Sequence, residues 1–92
     1  MDVSNFPFAE VLAQAARERR KVKLTYPEHG EGGGTQRTVE PYSYRVKGKE
    51  GNTLFFGFEQ EAGSIKGYRL DKIEGVELTE ETYEPKWPVE IG

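Results

Sequence analysis

The sequence predicts a small, mainly β domain with one N-terminal helix followed by five short strands. Apolar residues recur at helical spacing near the N-terminus, and they alternate with polar residues through most of the remaining chain. Glycine-rich or polar segments separate the alternating runs at short intervals. A helix followed by short strands with tight turns favours a small, strongly bent barrel.

Size and composition fit one domain over residues 1–92, with the helix at about 7–20, the barrel at about 21–79 and an extended tail at 80–92. A domain this small is typically stable by roughly 5–10 kcal/mol, so the loss of one large core side chain matters. The absence of cysteine excludes a disulfide, a thiolate metal site and a thiol nucleophile. Neither a signal-peptide pattern nor an apolar run of ~20 residues occurs, which favours a cytoplasmic protein.

The predicted helix has one apolar stripe at the spacing i, i+3, i+4, i+7 and i+8, formed by Phe8, Val11, Leu12, Ala15 and Ala16. Pro7 suits its first turn, and Glu10 lies near the positive end of the helix dipole. We expect the helix to pack by its stripe across the sheet. A helix-turn-helix DNA reader needs a second helix at a fixed angle, and this sequence supplies none.

The first strand is predicted where Val22, Leu24 and Tyr26 alternate with polar residues before Pro27. The glycine-rich segment that follows lacks the Gly-Lys-Ser/Thr ending of a phosphate-binding P-loop, so we expect a hairpin connection. It contains His29, the only histidine in the sequence. We expect that side chain to be solvated, since metal and catalytic roles require convergent partners.

The most informative segment begins at Arg37 and reads Arg-Thr-Val-Glu-Pro-Tyr-Ser-Tyr-Arg-Val. Its aromatic and β-branched residues predict a strand, but Pro41 lacks an N–H donor and therefore requires a sheet edge or a bulge. The alternation predicts that Tyr42 and Tyr44 share one face of the sheet. Arg37 and Glu40 lie among apolar neighbours, where a charge needs a partner or access to solvent.

A polar turn is predicted over residues 47–52, followed by a strand over residues 53–58 that has apolar residues on both faces. Two apolar faces indicate a central strand covered on both sides, one of them by the helix. On this basis, truncation of Phe56 to Ala is expected to cost ~3–5 kcal/mol.

The remaining chain is predicted to be extended. One strand covers residues 65–70, and Val76 and Leu78 mark the last strand. The tail contains two prolines and cannot be helical. Three of its apolar residues alternate, which suggests an extended edge strand on this barrel or on a neighbouring subunit: Trp87, Val89 and Ile91.

Three segments together carry a family resemblance. They are a basic run leading into a strand that closes on Tyr26, the Arg-Thr-Val-Glu-Pro-Tyr strand, and Tyr-Arg-Leu-Asp-Lys-Ile from Tyr68 onward. In this order they resemble a WYL domain, a bacterial module named after a Trp-Tyr-Leu triplet. The resemblance extends over roughly residues 9–83 and implies an Sm-like five-stranded barrel. Most relatives place a winged helix-turn-helix upstream, so this chain is expected to be a stand-alone WYL-like domain.

No nucleophile, base or metal-ligand constellation is visible, so we expect no enzymatic activity, no cofactor and no metal. The net charge of −3 argues against a protein that holds duplex DNA by bulk electrostatics. Basic residues cluster between Arg17 and Lys23, whereas glutamates dominate the C-terminal fifth. This distribution fits a protein with mixed surface charge, or a basic face for a polyanion with the acidic tail kept away from it.

The family resemblance implies a regulatory domain that senses an effector in a basic and aromatic pocket. By position, Arg69 is the pocket arginine, Lys72 is the second basic residue, and Gln60 stands where relatives often have histidine. Arg37 and Arg69 are the expected phosphate contacts, because a guanidinium binds phosphate through two parallel hydrogen bonds. Two tyrosines beside them are candidates to stack on bases: Tyr42 and Tyr68.

One departure from the family pattern and one alternative role for Arg69 leave other interpretations open. The family triplet is replaced by Thr53-Leu54-Phe55, so Leu54 offers no hydroxyl to a pocket. Arg69 can instead form a salt bridge with Glu40 or Asp71.

The leading hypothesis is a non-enzymatic, transcription-regulating domain that binds a nucleotide or single-stranded nucleic acid. The alternative is a protein-interaction or self-association module that acts through the tail around Trp87. A third possibility is a degenerate domain without a ligand.

Overall fold

One helix packs across a five-stranded antiparallel sheet in the computed structural model, which describes residues 6–27, 34–47 and 52–91. The elements in chain order are α1 (Ala9–Glu18), β1 (Arg20–Pro27), β2 (Gly34–Lys47), β3 (Asn52–Glu59), β4 (Ser64–Arg69), a short 3-10 helix (Leu70–Lys72) and β5 (Gly75–Thr82). The predicted class, mainly β with one N-terminal helix, is confirmed. The predicted glycine-rich connection, with His29, and the middle of the predicted turn at 48–51 lie outside the described residues.

Helix α1 is shorter than the predicted span of 7–20. It ends at Glu18 because Arg19 adopts a left-handed conformation with φ 54°, and its N–H points to the carbonyls of Ala15 and Ala16. This reversal lets β1 begin at Arg20. Over the described ranges, no helix is long and apolar enough to cross a bilayer.

Strand β2 is bent and joins the two halves of the sheet. Its first half pairs with β1 through the register Val22–Val39, and its second half pairs with β3. The pairing with β3 shifts between Pro41 and Ser43, which marks a β-bulge at Tyr42. The bulge that the proline predicts is therefore confirmed.

The bulge also overturns the prediction that Tyr42 and Tyr44 share a face. Tyr44 contacts Phe55, whereas Tyr42 contacts Trp87, which in turn contacts Phe58. Phe55 and Phe58 are three residues apart in one strand and so project from opposite faces. An extra residue in β2 reverses the alternation at this point.

The described strands form an open sheet rather than the predicted closed barrel. The strand order is β4-β3-β2-β1-β5, so β4 and β5 are the two edges. Between β1 and β4 the contact runs through a side chain instead of a ladder, since the Arg69 N–H donates to the Tyr26 hydroxyl at 3.1 Å. The polypeptide turns away after Arg69 into the 3-10 helix, which ends β4 before a ladder forms.

The core lies on the face of the sheet that α1 covers, which we call the inner face. It comprises Leu12, Ala15 and Ala16 of the helix with inner-face residues that include Val22, Leu24, Val39, Phe55 and Tyr68. Phe55 is fully buried there, whereas Phe56 points to the opposite, outer face and is half-buried. The expected cost of ~3–5 kcal/mol for Phe56→Ala assumed a fully covered ring, whereas Phe56 is half-buried on the outer face and Phe55 is the ring that belongs to the core.

The tail packs on its own domain. Tyr83 and Ile91 are buried, the Tyr83 hydroxyl donates to the Pro41 carbonyl at 2.6 Å, and the Glu90 N–H donates to the Tyr42 carbonyl at 2.8 Å. The described tail forms no strand ladder, in contrast to the predicted edge strand, because its two prolines lack N–H donors. It nevertheless satisfies two carbonyls of β2 beyond the region where β2 pairs with β1.

We expect Phe55→Ala to lower the free energy of unfolding by ~3–5 kcal/mol, because it empties a fully buried site. Phe56→Ala is the matched control and is expected to cost less than about 2 kcal/mol, since part of that ring contacts solvent. Urea denaturation of both variants measures the difference. Equal losses would contradict the assignment of the core to one face.

Gly57 is expected to tolerate no side chain. A Cβ there would lie 2.8 Å from the Glu40 carbonyl oxygen and would also overlap the Val39 side chain. Gly57→Ala should therefore cost ~1–3 kcal/mol through overpacking. The control is Gly75→Ala, whose Cβ would make ordinary contacts of 3.5 and 3.7 Å with Thr25, and whose unfolding midpoint should stay close to that of wild type.

Tyr44 provides a test by pH. Its hydroxyl is buried without a hydrogen-bond partner in the described structure, and burial raises the pKa of Tyr44 from 10.0 to about 12. The unfolded chain therefore ionises first as pH rises from 10 to about 12, and the folded state loses stability over that window.

Tyr44→Phe removes this ionisable group. At neutral pH its free energy of unfolding is expected to exceed that of wild type by no more than about 1 kcal/mol, because the unpaired hydroxyl is gone. Above pH 10 the difference in the free energy of unfolding between Tyr44→Phe and wild type should grow. Thermal unfolding across this pH range measures the effect, and an unchanged alkaline decline in the variant would contradict it.

Candidate ligand-binding site

A polar hollow of about 460 Å³ opens at one end of the inner face. We call it the polar hollow, and its lining is Tyr26, Pro27, Thr35, Gln36, Arg37, Glu59, Glu61, Lys66, Gly67 and Tyr68. The residues come from the ends of β1 to β4 and from the turn between β3 and β4. Apolar side chains fill the inner face under the helix, and polar side chains continue it beyond the helix.

The sheet register explains why charged side chains reach this hollow. Residues directly opposite each other in an antiparallel ladder share a face. Arg37 lies opposite Leu24, and Glu59 lies opposite Val39. Leu24 and Val39 belong to the core, so each charged residue is on the inner face, at the end of the core.

Arg37 is the central cation of the hollow. Its side chain is only 14 % exposed, and its Nε lies 3.7 Å from the Glu59 carboxylate, which is longer than a hydrogen bond. Its Nη2 donates to the Thr35 hydroxyl, and its guanidinium carbon lies 6.0 Å from the centre of the Tyr26 ring. Its Nη1 donates to no residue of the described ranges, so donors remain for a ligand.

Tyr68 fixes the carboxylate beside Arg37. Its hydroxyl donates to Glu59 Oε1 at 2.7 Å. Burial, followed by the hydrogen bond to the Glu59 carboxylate, raises the pKa of Tyr68, so its hydroxyl remains a donor at neutral pH. An edge contact of 5.2 Å with the Tyr26 ring holds the Tyr68 ring in place.

The rim of the hollow adds one carboxylate and one ammonium group. Burial opposes ionisation of Glu61, but the N–H groups of Thr38 and of Glu61 itself outweigh it and lower the pKa of that carboxyl. The Thr38 N–H donates to Glu61 Oε1 at 2.8 Å. Lys66 supplies the second cation. Two cations and two carboxylates line the hollow, which suits a ligand carrying both an anionic group and hydrogen-bond donors.

The structure brings together two of the six predicted site residues, Arg37 and Tyr68. Arg69 is elsewhere. It lies opposite Leu54, whose neighbour Phe55 is in the core, so Arg69 is on the outer face. Its Nε and Nη2 donate to the two oxygens of Asp71 at 3.1 and 2.8 Å. Asp71, rather than Glu40, is therefore the partner in the salt-bridge interpretation, and the hydrogen bond from Arg69 lowers the pKa of Asp71.

The other three predicted site residues also lie outside the hollow. Lys72 is exposed in the 3-10 helix. Gln60 accepts a hydrogen bond from Lys21 Nζ at 3.1 Å. Tyr42 is buried on the outer face, and its hydroxyl donates to Glu40 at 3.0 Å. The roles of Arg69, Lys72, Tyr42 and Gln60 in binding remain predictions.

Eight of the ten lining residues were not predicted, and four of them bear on the chemistry of the hollow: Tyr26, Glu59, Glu61 and Lys66. Tyr26 alternates with Val22 and Leu24, so its place on the inner face is readable from the sequence. Lys66 alternates in the same way with Tyr68. No sequence pattern shows that the ends of four strands surround one hollow.

The charges near the helix pair with those of the acidic C-terminal segment. Arg20 lies 3.5 Å from Glu80, and Lys21 lies 3.9 Å from Glu81. Strands β1 and β5 are neighbours in the sheet, so the acidic segment is beside the basic run and not kept away from it. Mixed surface charge is the interpretation that fits. In the described ranges no group of three or more His, Cys, Asp or Glu side chains is placed to hold a metal.

The described residues form a small domain in which one helix covers a bent antiparallel sheet. A polar hollow opens at one end of that sheet. The family model described as WYL domain matches residues 7–78. The chain therefore belongs to the WYL domain family, as its three resembling segments indicate.

A solved structure supports the shared fold. The chain is similar to the Proteasome accessory factor B/C (PafBC) of Arthrobacter aurescens, with a TM-score of 0.69 and 21 % sequence identity. The similarity covers 86 % of this chain and 13 % of that chain, so it concerns a small part of PafBC. No curated protein matches the sequence.

Proposed function

We propose that this chain is a non-enzymatic, cytoplasmic ligand-sensing domain that binds a nucleotide or single-stranded nucleic acid in the polar hollow. The observation that supports the proposal most directly is the environment of the Arg37 side chain. This guanidinium is largely removed from solvent, and within the described ranges its polar partners are the Thr35 hydroxyl and a carboxylate 3.7 Å away, an environment that suits the binding of a phosphate.

The carboxylates of the hollow favour a nucleotide over a simple polyanion. Glu59 and Glu61 would repel a polyphosphate. They would accept hydrogen bonds from the amino and imino groups of a base. Tyr26 is half-buried and therefore better placed to contact a base than Tyr68, which is 2 % exposed.

The family and the fold favour a regulatory role. The chain belongs to the WYL domain family, and the similar PafBC is by name an accessory factor. An accessory factor modifies the activity of another component. We propose that ligand binding in the hollow likewise changes how this domain engages a partner, in keeping with a role in transcription regulation.

Arg37→Gln tests the proposal. The protein is titrated into fluorescently labelled hexathymidylate at several salt concentrations, with fluorescence anisotropy as the readout. Loss of charge-assisted hydrogen bonds is expected to weaken binding about tenfold or more. The wild-type plot of log affinity against log salt should have a slope of about −0.7 to −1.4, for one or two phosphates, and Arg37→Gln should flatten it.

The matched control is Arg17→Gln, which removes an exposed positive charge on α1 away from the hollow and should leave the affinity unchanged. Equal weakening by both variants would indicate non-specific electrostatics and contradict the proposal. Arg69→Ala and Lys72→Ala, in the same titration, test the contacts that the family resemblance implies.

A second candidate function is protein interaction or self-association. The observation that favours it is the exposure of three large apolar side chains, Val46, Ile65 and Trp87. Sedimentation velocity over a range of concentrations tests self-association: a mass of two chains in wild type, and of one chain in Trp87→Ala, would support it.

A further inference from the structure

A second concavity, of about 450 Å³, lies on the outer face between the sheet and the tail. We call it the tail groove. The residues that matter for its chemistry are Tyr42, Arg45, Phe56, Ile65, Trp87 and Glu90. The tail supplies Trp87 and Glu90, and both lie beyond the residues 7–78 that the family model matches.

Trp87 packs against two aromatic rings of the sheet while much of its own ring stays in solvent. Its ring stands edge-on to Tyr42 at 5.4 Å and lies 6.2 Å from Phe58. The tail is anchored on both sides of it, by buried Tyr83 and buried Ile91. Even so, Trp87 is 45 % exposed. A fixed, half-exposed indole offers a stacking surface whose ordering cost is already met by the fold.

Cations accompany these aromatic rings. Lys86 Nζ lies 4.5 Å above the Phe58 ring, and Arg45 lies at the rim, 54 % exposed, with its Nη2 at 2.8 Å from the Glu90 carboxylate. Aromatic rings beside cations are typical of surfaces that bind single-stranded nucleic acid. An apolar partner would have to bury the Arg45–Glu90 pair at a desolvation cost. A nucleic-acid strand leaves these charges hydrated or paired with phosphate.

The tail groove and the polar hollow are separated by one strand. On β4, Ile65 lines the groove, whereas Lys66 and Gly67 line the hollow. Strand β4 is an edge of the sheet, so no further strand of the described ranges pairs with it on that side. Gly67 presents no side chain, and Phe56 packs against it closely enough that an added Cβ would lie 2.9 Å from Phe56 Cε1. Gly67 of the hollow and the Phe56 ring of the groove are thus in contact, so the two concavities adjoin at this edge of the sheet.

From this arrangement we infer that the ligand is a single strand of several nucleotides that crosses the edge of β4, with a phosphate at Arg37 and a base stacked on Trp87. This inference rests on the proposed function and narrows it from nucleotides in general to an oligonucleotide. A mononucleotide fills the hollow alone.

Because the sequence contains a single tryptophan, its intrinsic fluorescence reports on the tail groove directly. The protein is titrated with thymidine monophosphate and with hexathymidylate. The hexamer is expected to bind more tightly and to quench Trp87, and the mononucleotide to bind without quenching. In anisotropy titrations, Trp87→Ala should weaken hexamer binding about tenfold. It should leave competition by the mononucleotide unchanged, and Trp87→Phe should retain most of the hexamer affinity.

Several outcomes overturn the inference. If wild type and Trp87→Ala bind the hexamer with equal affinity and Trp87 is not quenched, the tail groove is not part of the binding site. Hexamer binding that still depends on Arg37 would leave the proposed function intact. Binding that is insensitive to Arg37→Gln, or absent from wild type, overturns the proposed function and the inference with it. Concentration-dependent dimerisation that shifts Trp87 emission assigns the groove to a second copy. Circular dichroism confirms that each variant is folded.

Discussion

The bend of β2 at Pro41 and Tyr42 is the constraint on which the rest of the structure depends. One half of this strand pairs with β1 and the other half with β3, so the bend sets the curvature of the whole sheet. Pro41 cannot donate to a ladder, the bulge absorbs the extra residue, and Gly57 allows β3 to approach the bend without a side chain. The carbonyls of Pro41 and Tyr42 accept hydrogen bonds from the tail instead of from a strand.

The curvature also separates the two kinds of surface that a ligand can meet. On the inner face, α1 covers the apolar half and leaves the ends of four strands uncovered. Arg37 and Glu59 lie together there, in the partly desolvated polar hollow. The Arg37 Nε and the Glu59 carboxylate are 3.7 Å apart, so they form a weak ion pair. A partly buried cation with a weak partner is attracted to a phosphate more strongly than a fully exposed lysine would be. On the outer face, Arg69 already has a two-point partner in Asp71. A ligand would have to compete with that pair, which places Arg37 first among the candidate phosphate contacts.

Much of the fold was readable from local patterns, whereas features set by long-range packing were not. The helix stripe, the five strands and the proline bulge follow from spacing and from the chemistry of single residues. The face of Tyr42 did not, because alternation holds only within an uninterrupted strand and the bulge in β2 resets it. Alternation does place Phe55 and Phe56 on opposite faces of β3, but it does not show which of these faces the helix covers. The site was partly predicted. Arg37 was identified because a charge among apolar residues is conspicuous, whereas Glu59 and Lys66 join it only through the register of two further ladders. Sequence similarity also pointed to Arg69 without showing that Asp71, two residues on, takes its donors.

The tail gains a structural role from the same bend. A strand that leaves its first partner at residue 39 exposes carbonyls on that side, and buried carbonyls without partners are costly. Tyr83 and the Glu90 N–H supply those partners, and Ile91 closes the core at the same point. The need to cap the bent strand therefore fixes the path of the tail, and that path presses Trp87 against Tyr42 and Phe58. The position of the half-exposed Trp87 ring thus follows from the hydrogen bonds that the bent strand requires of the tail and from the contacts with Tyr42 and Phe58.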